Sequence, residues 1–91
     1  MNKEELNIVN YVIAVINSAN KNNYKIFYNL VVFLVDAFDF KKIQHKFTDE
    51  ETKGYILIDL NYKSLKIQVE YQEEKNLLYI LNITKEVVKK W

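Results

Sequence analysis

Ninety-one residues, 49% of them apolar and 27% charged, make one globular domain spanning residues 1–91 with room for a single modest core. The absence of cysteine excludes a disulfide framework, a thiolate metal site and a cysteine nucleophile. A net charge of +1 excludes a strong field toward nucleic acid, and all 13 basic residues are lysine, so the bidentate clamp that arginine offers to phosphate and guanine is missing.

The first predicted element is a helix from about Lys3 to Ser18. Asn2 caps it and Glu5 completes a capping box. Leu6, Ile8, Val9, Val12, Ile13, Val15 and Ile16 fill about half its circumference. The run Asn20-Lys21-Asn22-Asn23 serves as the following turn, because asparagine tolerates the left-handed conformation. A second helix is predicted from Tyr24 to about Gln44. Asn29, Val32, Asp36 and Asp39 fall on one stripe and nearly everything else is apolar, which reads as a largely buried central helix. The apolar run from Ile26 to Phe38 is too short for a membrane span of roughly 20 residues. Thr48-Asp49-Glu50-Glu51 repeats the capping-box pattern, and Gly54 closes a single helical turn or loop.

Three strands are predicted next: Tyr55 to Asn61, Leu65 to Gln72 and Leu77 to Ile83. The middle one alternates cleanly, with Leu65, Ile67, Val69 and Tyr71 on one face and Lys66, Gln68, Glu70 and Gln72 on the other. A turn at Tyr62-Lys63 sets Leu60 opposite Leu65, Ile58 opposite Ile67 and Asp59 opposite Lys66, and brings Tyr79 to Val69 in the third strand. Thr84 then caps a short C-terminal helix that docks through Val87, Val88 and Trp91. The expected fold class is therefore α+β: two N-terminal helices, a three-stranded antiparallel meander and a short C-terminal helix.

No residue pattern carries recognisable catalytic or metal chemistry. His45 is the sole histidine and has no nucleophile or carboxylate in a familiar frame; it reads as a surface residue. Asp36 and Asp39 are a carboxylate pair at i, i+3 without an evident third ligand. Asp49-Glu50-Glu51 and Glu70, Glu73, Glu74 are two acidic groups, read either as solvated loops or as mimics of nucleic-acid phosphates. Lys85, Lys89 and Lys90 with Trp91 complement a last helical turn or touch RNA. Neither a metal nor a cofactor is expected.

The wet face of the sheet is the leading candidate site. In the register above, Tyr55, Leu57, Leu78 and Ile80 point outward around Gln68, with Glu70, Glu73 and Glu74 at its acidic end. A contiguous apolar group of this kind marks a partner or dimer interface. A one-residue shift of the third strand would turn its side chains over.

The abundance of lysine, asparagine, isoleucine and tyrosine points to an AT-rich gene, as in low-GC bacteria and their phages. Together with small size and weak charge, this leads to an expected function. The chain is read as a non-enzymatic inhibitor of phage or mobile-element type, of the anti-CRISPR, immunity-protein or antitoxin class. It would occlude a protein partner in the cytoplasm, without membrane insertion or direct nucleic-acid binding. Two helices before an antiparallel meander are also similar in order to RelE/ParE-like ribonuclease toxins. That resemblance implies cleavage by Lys63, Lys66, His45 and a tyrosine, although the family's initial strand and arginine-rich face have no counterpart here. The order of helix, three strands and helix is similar to double-stranded-RNA-binding domains, which makes a small RNA-binding domain the other alternative.

Overall fold

The computed structural model describes residues 1–85. Helix α1 (Lys3–Asn22) starts where the sequence indicates. The Asn2 side chain accepts the Glu5 N–H at 2.8 Å, and the Glu5 carboxylate accepts the Asn2 N–H at 3.0 Å. It continues one turn past Ser18 and ends on Asn23, whose φ of 51° is left-handed and whose N–H reaches the Ala19 carbonyl. Helix α2 (Phe27–Phe40) is shorter than expected. It stops in a Schellman motif: the Ile43 N–H bonds the Phe38 carbonyl at 2.9 Å, the Lys42 N–H bonds that of Asp39 at 3.0 Å, and Lys42 takes φ 57°.

Residues after this stop form a strand, which overturns the three-stranded expectation. Strand β1 (Gln44–Glu50) runs antiparallel to β2 (Tyr55–Tyr62), with Phe47 opposite Ile58, and a single 3-10 turn (Glu51–Lys53) and Gly54 at φ 74° join them. The sheet continues through β3 (Leu65–Gln72) to β4 (Leu77–Lys85) in the order β1-β2-β3-β4, all antiparallel. The expected C-terminal helix is also overturned at its start. Thr84 and Lys85 are strand residues paired with Lys66 and Leu65. Val87, Val88, Lys89, Lys90 and Trp91 lie outside the described residues.

The hairpin register differs from the predicted one by two residues. Lys63 and Ser64 form the turn, Tyr62 faces Leu65, Leu60 faces Ile67, and Asp59 faces Gln68 rather than Lys66. A shift of two preserves the pleat, so Ile56, Ile58, Leu60, Leu65, Ile67, Val69 and Tyr71 all enter the core as expected. In β4 the shift is odd: Val69 faces Ile80, and a bulge between Gln68 and Val69 inserts Leu81 as an extra residue.

Both helices pack on the same face of the sheet. Val12, Val15 and Ile16 of α1 and Leu30, Leu34 and Phe38 of α2 share one core with the strands. Helix α2 is not buried nearly all round. Only Leu30, Leu34 and Phe38 are fully covered, while Tyr28, Val32 and Phe40 are exposed. Helix α1 lies along β4, N-terminus to C-terminus. The Lys85 ammonium sits 3.0 Å from the buried Glu5 carboxylate. At the other end, Asn20 Nδ2 donates to the Leu78 carbonyl at 2.8 Å and Asn20 Oδ1 accepts the Leu78 N–H at 2.9 Å. No helix among the described residues is long and apolar enough to cross a membrane.

Candidate functional site

The sheet face turned away from the helices is where the structure gathers most of the predicted site. Tyr55 and Leu57 lie on it from β2, and Gln68, Glu70 and Gln72 from β3, all half-buried. Leu78 and Ile80 do not. Leu78 faces Tyr71 and is only 3% exposed, and Ile80 faces Val69 and packs against the core. Their expected places on β4 are taken by Leu77, opposite Gln72, and Tyr79, opposite Glu70. The outer face therefore presents two rungs across three strands, Leu57–Glu70–Tyr79 and Tyr55–Gln72–Leu77. Apolar and aromatic groups flank a central polar column.

Hydrogen bonds fix that column. Gln72 Nε2 donates to the Tyr79 hydroxyl at 2.8 Å and to Glu70 Oε2 at 3.4 Å. Further along, Asn82 Nδ2 donates to Gln68 Oε1 at 3.0 Å, and Gln68 Nε2 donates to Asp59 Oδ1 at 3.1 Å. Side chains from β2, β3 and β4 are thereby locked together, which lowers the ordering cost of any contact made on this face.

Both ends of the face carry mixed charge: Lys53 and Lys75 with Glu73 and Glu74 at one, Lys46 and Lys66 with Asp59 at the other. An open cleft of about 470 Å³ at the Tyr55 end is lined by Lys53, Tyr55, Gln72, Glu73, Glu74 and Lys75, so the predicted Glu73 and Glu74 join the site at the β3–β4 turn. That turn is anchored by Asn76, at φ 50°. Its Oδ1 accepts the Tyr71 hydroxyl at 2.7 Å, and its Nδ2 donates to Asn23 Oδ1 at 2.7 Å and the Tyr24 carbonyl at 3.1 Å. Burial, reinforced by the Glu73 charge, pushes the Tyr71 phenol above its ordinary range. The opposite end holds a cleft of about 400 Å³ whose lining includes Lys46, Lys66, Asn61 and Thr84.

The residues that a ribonuclease reading requires are not brought together. His45 lies on the helix-covered face of β1, 3.0 Å from Asp39 and with its ring against Phe38 and Phe47. Lys66 lies on the opposite face of the sheet, and Lys63 is tied to Glu4 at 2.8 Å. Asp36 and Asp39 are both exposed on α2, and no group of three His, Cys, Asp or Glu residues suited to a metal exists among the described residues. No family model, no curated protein and no solved structure matches this chain.

Proposed function

We propose that the chain is a non-catalytic protein-binding inhibitor that occludes its partner with the outer face of the sheet. One observation carries this: Tyr55, Leu57, Leu77 and Tyr79 stand in two rungs on the face that neither helix covers. Aromatic and apolar side chains around a prearranged polar centre are the composition of an interface core. The face suits a partner with a complementary apolar patch beside Tyr55, Leu57, Leu77 and Tyr79. The AT-rich composition and the small size suit an inhibitor of mobile-element type, whose protein target belongs to the host.

The test is affinity capture from a low-GC bacterial host with the wild-type chain and with Leu57→Glu/Leu77→Glu, both checked for folding by circular dichroism. A protein retained by the first and lost by the second supports the proposal. Capture of the same protein by both would place the contact elsewhere. Growth arrest with cleaved RNA on induction of the gene would replace the proposal with a ribonuclease.

A further inference from the structure

Helix α2 carries an apolar stripe that the described residues cover only in part. Tyr28, Val31, Val32 and Val35 recur at i, i+3, i+4 and i+7, so they line one flank. The opposite flank faces α1, where the Tyr11 hydroxyl donates to the Ala37 carbonyl at 2.6 Å, and the α1–α2 connection, where Tyr24 packs on Phe33. On the free flank Tyr28 is 72% exposed and Val32 40%, with Val31 and Val35 half-buried.

Two features say what fits this stripe. Its spacing reads the same in both directions about the Val31–Val32 pair, so in an antiparallel arrangement Tyr28 meets Val35 and Val31 meets Val32. A two-fold contact demands that reciprocity, since residue i must touch j while j touches i. The charges follow the same axis. Lys25 precedes the helix and Asp39 lies in its last turn, each against the sign that the helix's own dipole favours there. Antiparallel pairing sets Lys25 of each copy beside Asp39 of the other. Asp39 Oδ1 accepts from His45 Nε2 at 3.0 Å, yet the Asp39 side chain remains 64% exposed.

We infer that α2 is a self-association surface, occupied by α2 of a second copy packed antiparallel across a two-fold axis. Fourteen residues at 1.5 Å each make a helix of about 21 Å, so the buried area falls below that of a standard interface and the dimer is a weak one.

Sedimentation equilibrium over a concentration series reaching about 1 mM, high enough to populate weak interfaces, tests this. Wild-type chain should form a reversible dimer. Val32→Asp should weaken it at least about tenfold, a loss typical of a charge forced into an apolar contact. Lys25→Glu and Asp39→Lys should each weaken it several-fold, and the double exchange should recover most of the loss. A monomer at every concentration overturns the inference. So does a dimer that Val32→Asp leaves intact, or one that the double exchange fails to restore.

Discussion

Asn20 fills one rung of the sheet from outside it. β4 is an edge strand, and the Leu78 N–H and C=O that point away from β3 would otherwise lack strand partners. The Asn20 amide supplies both a donor and an acceptor, at 2.8 and 2.9 Å, as a neighbouring peptide group would. Asn20→Ala removes two hydrogen bonds worth about 1 kcal/mol each and leaves two groups of a buried residue to find water, for a total of about 2–3 kcal/mol. In a domain of this size that lowers Tm by about 10–20 °C. Thermal and urea unfolding followed by circular dichroism measure the loss. Hydrogen exchange should find the Leu78 amide exchanging much faster than in the wild type. Asn20→Asp keeps the acceptor but turns an anion toward the carbonyl, so it should cost at least as much. A loss below about 0.5 kcal/mol with Leu78 still protected would refute the rung, since two bonds to a buried backbone cannot be worth so little.

Among the described residues Phe38 is the largest fully buried side chain, and Phe38→Ala should destabilise by about 3–5 kcal/mol in urea titration; a loss under about 1.5 kcal/mol would mean the helix–sheet seam repacks freely. Two carboxyls at the α1 N-terminus tie stability to pH. Hydrogen bonds from Lys63 and then Tyr62 hold the Glu4 carboxyl below its usual 4.5, and the Asn2 N–H and then Lys85 hold that of Glu5 below it. A carboxyl with a lowered folded pKa contributes stability that is present above 4.5 and is lost as pH falls through the folded value. Tm should therefore drop below about pH 4.5, and less steeply in Glu5→Gln; identical pH profiles for the two proteins would discount the Glu5 contacts.

What the sequence reveals depends on whether the determining interaction is local. The α1 start is legible because Asn2 and Glu5 are three residues apart and cap each other. β2 and β3 are legible through alternation. The end of α2 is hidden because its left-handed position holds Lys42, where glycine is the usual signal. The Schellman motif forms anyway, with Ile43 just beyond the turn drawn fully into the core. β1 is hidden for a second reason. Of its seven residues only Phe47 is a large apolar one, while Lys46, Asp49 and Glu50 are charged, which suits an exposed edge and looks like a loop.

β4 decided how much of the candidate face was legible. From Leu77 to Leu81 every residue is apolar or aromatic, so alternation cannot say which side faces the core. The far half of the strand settles it through the bulge. With an unbroken pleat, Leu78 and Ile80 on the core side would carry Asn82 and Thr84 there with them. One inserted residue changes the parity, so that Ile83 pairs with Ile67 on the core side and Asn82 with Gln68 on the outer side. The bulge thus lets one strand bury Leu78 near its start and still keep its amide and hydroxyl out of the core near its end. It also places Asn82 where it can hold Gln68, and through Gln68 Asp59, which keeps the candidate face ordered. Tyr79 and Leu77, rather than Ile80 and Leu78, are the β4 residues on which partner binding should depend, because that same parity turns them outward.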